Sequence, residues 1–120
     1  MKDEPDWVRN ALRAARSLKA VTRGEAGSRH CVYIILLLDP RLGGRSGLYV
    51  GQSSRDPDWR FDQHKSGYKA SASVRRFGVS LLPEFVEHLN PMRQWESLDL
   101  EAALADGFRA AGVPWVEGGH

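Results

Sequence analysis

Four side chains suited to phosphate and proton chemistry fall within one short stretch of the chain, GLYVGQSSRDPDWRFDQHKSGYKAS, residues 47–71. They are Tyr49, Arg60, His64 and Lys65. Arginine pairs with phosphate oxygens through two N–H groups, and histidine exchanges its proton near neutral pH. Arg60 and His64 are four residues apart, so a helix over residues 57–65 would carry both on one face. Taken singly, they are more typical of a solvated arginine and a hydrogen-bonded surface histidine.

Two tyrosines lie in segments that the sequence predicts to be neighbouring strands. CVYIILLLD, residues 31–39, is apolar at successive positions, which is typical of a central strand covered on both faces. LYVG, residues 48–51, predicts the second strand of a hairpin with a long loop. Tyr33 and Tyr49 both have odd residue numbers, and side chains alternate between the two faces along a strand. Both rings therefore lie on one face of the sheet if the numbers of residues paired across the hairpin sum to an even value. Core packing is the alternative role of each ring.

One acid stands apart in the helix predicted over residues 94–111. At about 100° per residue, Glu101 points about 20° from Phe108, on the apolar side. The apolar stripe consists of Leu100, Leu104, Phe108 and Ala111. The other acids are predicted to point to solvent: Glu96, Asp99 and Asp106. A buried ionised carboxylate is costly unless it is paired. Glu101 is therefore predicted either to form a salt bridge with an arginine such as Arg60 or Arg75, or to bind a cation.

The remaining elements complete a small mixed domain. Residues 5–20 predict an amphipathic helix, and residues 22–29 predict a polar linker. The other predicted elements are a helix over 71–77, a third strand over 84–88 and a candidate terminal strand over 113–116. This order predicts an α/β (α+β) fold, a small central antiparallel sheet of about three strands flanked by helices. We place an N-terminal helical extension and linker at residues 1–29 and the main domain at 30–120.

Composition limits the class of protein without deciding it. The chain has 17 basic and 15 acidic residues, and thirteen of the basic residues are arginine, which weakly favours an anionic partner. Cys31 is the one cysteine, so neither a disulfide framework nor a thiolate metal site is expected. The longest apolar run is too short to span a bilayer, and the first 20 residues lack the apolar core of a secretory signal. A cytoplasmic protein without membrane association is the expectation.

These elements, taken together, resemble the GIY-YIG endonucleases. VYI at residues 32–34 followed by YVG at 49–51 resembles the paired signature of that family, and Arg60-x-x-x-His64 follows in the family's order. ESLDLEAAL, residues 96–104, resembles the family's catalytic helix, in which the second glutamate, here Glu101, is the metal ligand. The resemblance covers residues 31–117.

The resemblance implies a fold and an activity. It implies a small GIY-YIG-like domain that hydrolyses DNA phosphodiester bonds with one divalent cation, Mg²⁺ or Mn²⁺. By position, it implies Tyr33 and His64 as candidate general bases, Tyr49 as the residue that positions water or phosphate, Arg60 as the group that stabilises phosphoryl charge, and Glu101 as the anchor of the cation. A tyrosine is only about one part in a thousand ionised at pH 7, so a base at Tyr33 needs a nearby cation. The residues leave the choice between Tyr33 and His64 open.

Further contacts to DNA are expected around and beyond the Arg60 helix. The candidate residues are Gln52, Lys65, Lys69, Arg75 and Arg76. Ordinary surface charge is the alternative for the basic ones. No sequence-reading motif is visible, so targeting is expected to come from a partner, a fused chain or the shape of the DNA.

Two differences from the family keep a second function open. Gln52 stands where many members carry lysine, and the usual Pro-x-Tyr-Asn ending appears at residues 113–117 without asparagine. They favour a catalytically impaired module that binds nucleic acid or a protein partner. The presence of Arg60 and Glu101 favours the nuclease.

Overall fold

The computed structural model describes residues 5–41, 43–67 and 71–119. The helices are α1 (Val8–Arg16), α2 (Pro57–Ser66), α3 (Ala72–Phe77) and α4 (Gln94–Ala110). The strands are β1 (Cys31–Asp39), β2 (Arg45–Ser53), β3 (Gly78–Leu81) and β4 (Val116–Gly118). The predicted α+β class is confirmed. Among the described residues, no helix is both long and apolar enough to cross a bilayer.

The strands form one mixed sheet in the order β3-β1-β2-β4. β1 pairs with β2 and β3 in antiparallel fashion, whereas β4 pairs with β2 in parallel fashion. The sheet therefore has a fourth strand, β4, which begins at residue 116, the last residue of the candidate terminal strand predicted over 113–116. Its parallel pairing with β2 differs from the expected antiparallel sheet of about three strands. Tyr33 pairs with Gly51, so the sum of paired residue numbers is even and the two tyrosines share a face, as their parity required.

The third strand lies earlier in the chain than predicted. Pro83–Phe85 is a turn of 3-10 helix, and the strand that pairs with β1 is β3. A strand beginning at residue 84 was the wrong choice because Phe85 packs in the core from a turn and the preceding proline has no N–H for a ladder. The side chain of Asn90 instead extends the pairing of β1: its amide donates to the Val32 carbonyl at 2.8 Å and accepts from the Val32 N–H at 2.9 Å.

Each face of the sheet has its own apolar cluster. One face packs against α1 and α4 through residues such as Val32, Ile34, Leu48 and Val50. The opposite face carries Tyr33, Ile35, Leu37, Val74 and Trp115, with Tyr49, Phe61, Phe77 and Leu81 at its margin. The first cluster also contains Trp7, Ala11 and Ala15, so the helix predicted as an extension packs into the same core as α4.

Glu96 is the one acid of α4 whose predicted exposure is wrong. Its carboxylate is buried and accepts hydrogen bonds from the Val21 N–H at 2.7 Å, the Thr22 N–H at 2.8 Å and the Thr22 hydroxyl at 2.6 Å. The helical wheel placed this side chain outside because it considers only the helix itself. The segment that follows α1 folds over the first turn of α4 and supplies the partners.

Candidate active site

A buried hydrogen bond joins Tyr33 on β1 to His64 on α2. The Tyr33 hydroxyl lies 2.9 Å from His64 Nε2, and the two residues are 2% and 1% exposed. The beginning of α2 is fixed by Asp56, whose carboxylate accepts from the Asp58 N–H at 2.8 Å, and by Pro57 in the first turn. This start presents His64, near the end of the helix, to the tyrosine face of the sheet.

The second nitrogen of the His64 ring determines which atom carries the proton. His64 Nδ1 accepts from the backbone N–H of Ser71 at 3.0 Å. A backbone N–H can only donate, so Nδ1 has no proton, and in the neutral ring Nε2 carries it and donates to Tyr33. Burial, with a contribution from the charge of Arg60, lowers the pKa of His64 to about 4, so the ring is neutral at pH 7. Because its one lone pair is occupied, His64 is poorly placed to accept a proton from water or from Tyr33, contrary to the expected role as a base.

Tyr49 lies beside this pair and is the more accessible of the two tyrosines. The centroid of its ring is 5.4 Å from that of His64 and 6.2 Å from that of Tyr33. Tyr49 is half-buried, whereas Tyr33 is almost fully enclosed. Burial raises the pKa of both phenols above the usual value for tyrosine. A group that takes a proton from water must reach that water, and of the two phenols Tyr49 meets this requirement better.

Arg60 and Glu101 carry opposite charges, and these charges affect the pKa values of the aromatic group. In both tyrosines the charge of Glu101 adds to the increase in pKa that burial causes, and the charge of Arg60 opposes it. Arg60 also lowers the pKa of His64, after the larger effect of burial. The structure thus brings the guanidinium and the carboxylate within electrostatic range of the same hydroxyl groups.

Glu101 lies on α4, which packs on the other face of the sheet, and its charge acts on both phenols. The side chain is 7% exposed, and within residues 5–41, 43–67 and 71–119 its Oε1 atom has no hydrogen-bond partner. Burial raises the pKa of Glu101 to about 7. A salt bridge to an arginine would lower that pKa instead, so the predicted pairing with Arg60 or Arg75 is not supported. A buried carboxylate oxygen with nothing to satisfy it is a suitable ligand for a hard cation.

The site offers that cation few protein ligands. In the described part of the chain, no group of three or more His, Cys, Asp or Glu side chains gathers around one point. Mg²⁺ keeps several of its waters and is commonly held by one or two carboxylates together with phosphate oxygens of the substrate. A single buried glutamate fits this mode of binding.

The position of the Tyr33 ring explains why β2 has a glycine at residue 51, after Tyr49 and Val50. Gly51 pairs with Tyr33 across the hairpin, and a Cβ atom built at Gly51 would overlap the Tyr33 ring. The bare backbone therefore lets the ring lie flat over β2 with its hydroxyl directed to His64.

A methyl group at position 51 is expected to displace the Tyr33 ring. Gly51→Ala should lower the free energy of unfolding by about 1–3 kcal/mol through overpacking, measured by urea titration. The matched control is Gly107→Ala in α4, where the nearest neighbour of the added Cβ is the Ala14 Cβ at 3.7 Å. That change should raise stability by about 0.5–1 kcal/mol because alanine is the better helix former. Equal stability of the Gly51→Ala variant and the wild type would contradict the described position of the Tyr33 ring.

The neutral, buried His64 also predicts how stability depends on pH. The pKa of His64 is about 4 in the folded protein, below the usual histidine value of 6.5, so its contribution to stability is complete above pH 6.5 and is lost as pH falls toward 4. In the wild type, this loss should lower the free energy of unfolding by on the order of 2 kcal/mol as pH falls over this range. His64→Gln should lack this decline. Urea titrations at several pH values test this, with His30→Gln as the control. A slope that is unchanged in His64→Gln would show that the ring protonates as easily in the folded protein as in the unfolded chain.

The residues predicted to contact DNA lie in different places. Gln52 faces α4, and its side-chain oxygen accepts from the Ser97 hydroxyl at 3.2 Å, so it lies away from the tyrosine face. Lys65 Nζ donates to the carbonyls of Arg75 at 3.1 Å and Gly78 at 2.9 Å and ties α2 to α3 and β3. Arg76 is exposed above Phe77. Lys69 lies outside the described residues.

Two groups that shape the site were not identified from the sequence. The Ser71 N–H fixes the tautomer of His64, and no sequence signal indicates a backbone contact of this kind. Arg45 lies over Trp115 on the tyrosine face. The parity of β2 could have revealed Arg45, because residues 45 and 49 must point to the same side of a regular strand.

Comparisons of the chain with protein-family models, with curated proteins and with solved structures find no match. The function proposed for the chain therefore depends on its own side chains and their geometry.

Proposed function

We propose that the chain is a metal-dependent endonuclease that hydrolyses phosphodiester bonds of DNA. The observation that carries this proposal is the hydrogen-bond and electrostatic coupling among five chemically suited residues from β1, β2, α2 and α4. They are Tyr33, Tyr49, Arg60, His64 and Glu101. The Tyr33 hydroxyl lies 2.9 Å from His64 Nε2, and the charges of Arg60 and Glu101 both act on the two phenols. Phosphodiester hydrolysis needs an activated water and neutralised phosphoryl oxygens, and these side chains can supply both.

The water-activating phenol in this proposal is Tyr49. It is the half-buried member of the pair, and it lies beside the neutral His64 ring. Tyr33 stands behind it, held by the Nε2–H of His64, and acts as a positioning residue. This differs from the expectation that Tyr33 or His64 is the base, because one is enclosed and the other has no free lone pair.

Arg60 has two tasks in the proposed reaction. Its guanidinium lowers the pKa of both phenols, against the effect of burial, and so favours the ionised form that a base requires. The same group would neutralise the charge that grows on the phosphoryl oxygens during attack. Both tasks require a fixed positive charge, which arginine keeps at any working pH.

Glu101 would hold the divalent cation, Mg²⁺ or Mn²⁺. Its buried Oε1 atom has no hydrogen-bond partner in the described part of the chain and is therefore available to a cation. When bound, the cation would supply positive charge beside the phenols and the substrate phosphate. Burial and, after it, the negative charge of Glu101 raise the pKa of Tyr49, so a site without the cation is expected to be a poor base.

DNA is the proposed substrate, and a cytosolic location and targeting by a partner or fused chain remain part of the same proposal. The test is nicking of supercoiled plasmid by the purified protein with Mg²⁺ or Mn²⁺, compared with EDTA and with Glu101→Ala. Metal-dependent nicking that the variant lacks is the expected result. Equal nicking by both proteins would refute the assigned site. If neither protein cuts but both bind DNA in a salt-sensitive way, the chain is the binding module instead.

A further inference from the structure

A cluster of arginines on aromatic rings lies on the same sheet face as Tyr33 and Tyr49. It consists of Arg41, Arg45 and Arg76 over the rings of Phe77 and Trp115, and we call it the arginine surface. The two rings meet edge to face with centroids 5.5 Å apart. Both rings pack in the apolar cluster that contains the tyrosines. The arginine surface is therefore continuous with the candidate active site.

The three guanidinium groups lie close to the aromatic rings. The Arg45 group lies 3.9 Å from the centroid of Trp115, and those of Arg41 and Arg76 each lie 5.3 Å from the centroid of Phe77. All three arginines are exposed. A guanidinium that lies over a ring through its face can use the N–H groups at its edge to pair with phosphate oxygens. Arg41 already uses two such groups on Asp39, so Arg45 and Arg76 are the better candidates for this contact. The cluster is thus partly ordered for an anion.

Positive charge exceeds negative charge at this surface. Asp39 accepts two hydrogen bonds of 2.9 Å from the side chain of Arg41, and Glu117 accepts one of 2.9 Å from the indole N–H of Trp115. The bond to Arg41, with a contribution from the charge of Arg76, lowers the pKa of Asp39 to about 2. Three guanidinium groups thus gather around carboxylates that already have hydrogen-bond partners, in a chain with a net charge of only +2. Such a local excess attracts polyanions.

The spacing between the arginine surface and the tyrosines suits a nucleic-acid strand. Arg45 and Tyr49 are four residues apart on β2 and point to the same side, which separates them by about 13 Å at about 3.3 Å per residue. The phosphates of one strand of duplex DNA advance about 3.4 Å per nucleotide along the helix axis, so this distance corresponds to an axial rise of about four nucleotides.

We propose that the arginine surface binds the phosphate backbone of the DNA strand that is cut beside the tyrosines. The choice of DNA as the anion rests on the proposed function. Contacts of this kind position a duplex without reading its sequence, so the surface would fix where the backbone enters the site and not which bases it carries.

The test measures DNA binding without cleavage. Binding of a short fluorescein-labelled duplex is followed by anisotropy in EDTA, at salt concentrations between about 50 and 200 mM. The double variant Arg45→Ala/Arg76→Ala should bind about tenfold more weakly, and the slope of log affinity against log salt should fall by about two. The matched control is Arg13→Ala/Arg16→Ala, which removes two exposed arginines from α1 and should keep the wild-type slope. Arg45→Lys keeps the charge and should keep most of the slope.

The outcomes separate this inference from the nuclease proposal. If the surface variant and the wild type bind alike, if the α1 control loses as much, or if the wild type does not bind the duplex, the arginine surface is not a DNA contact, whatever the plasmid assay shows. Loss of binding in the surface variant alone supports it. If the surface variant loses binding but the wild type never nicks plasmid, the arginine surface is a DNA contact and the nuclease proposal is wrong.

Discussion

Glu101→Gln is expected to abolish nicking and at the same time to make the protein more stable. The variant replaces a buried carboxylate by a neutral side chain of the same size and removes the proposed anchor of the cation. Nicking should fall at least about a hundredfold. Because the pKa of Glu101 is about 7 in the folded protein, above its usual value of 4.5, the wild type loses stability as pH rises from 4.5 through 7. At pH 8 the variant should therefore gain on the order of 2 kcal/mol, and the gain should vanish below pH 4.5.

A matched change on the same helix gives this prediction its control. Glu96 is equally buried, but its carboxylate accepts three hydrogen bonds from residues 21 and 22. Glu96→Gln removes acceptor capacity and should cost about 1–2 kcal/mol of stability at pH 7–8. Urea titrations of both variants should show a gain in the free energy of unfolding for Glu101→Gln and a loss for Glu96→Gln. If Glu101→Gln were destabilising like Glu96→Gln, the Glu101 carboxylate would have to be satisfied in a way that the structure does not describe.

Cation binding offers a second measurement that does not depend on activity. A ligand that binds only the folded protein raises its stability, by about 2.7 kcal/mol at a concentration of one hundred times Kd. Mg²⁺ or Mn²⁺ should raise the melting temperature of the wild type and of Glu96→Gln, and leave that of Glu101→Gln unchanged. An equal rise in all three proteins would place the cation elsewhere.

Arg60→Ala is expected to slow nicking by a factor of about 10²–10³, because it removes the fixed charge that faces the developing phosphoryl charge. Lys65→Ala is the comparison, five residues further along α2. The Lys65 ammonium donates to two backbone carbonyls, so its loss should reduce stability more than rate. Equal losses of rate in the two variants would contradict the role given to Arg60.

The same variant has a spectroscopic consequence. Arg60 lowers the pKa of His64, in addition to the larger effect of burial, so Arg60→Ala should raise that pKa toward the usual value for histidine. Titration of the His64 ring by NMR measures this shift without substrate. An unchanged pKa would mean that the guanidinium lies too far from the aromatic group to act on it.

The parts of the fold that the sequence predicted are those that local patterns specify. The continuous apolar run of β1 and the shared parity of Tyr33 and Tyr49 gave the central hairpin and its face. The periodicity of α4 gave Glu101 as an inward acid. β3 could not be found in this way, since its four residues acquire strand geometry only by pairing with β1 at a distance in sequence.

The limits of prediction in the site have the same cause. Glu96 was misplaced because the segment that covers it comes from another part of the chain. The role of His64 as a proton acceptor depended on a free ring nitrogen, and the sequence does not indicate that the Ser71 N–H hydrogen-bonds to this nitrogen. Residue types therefore indicated which side chains meet, whereas tertiary contacts decide what each can do.

The contact between Glu96 and the segment after α1 has a practical consequence for minimal versions of this protein. A truncated chain that begins at residue 30, the predicted domain boundary, would leave the Glu96 carboxylate without its hydrogen-bond donors. It would also expose the apolar surface that Trp7, Ala11 and Ala15 cover. Because Glu101 lies little more than one turn further along the same helix, trimming the first 29 residues would loosen the support of the proposed cation ligand. The amino-terminal helix should therefore be kept in any truncated form intended for assays or crystallisation.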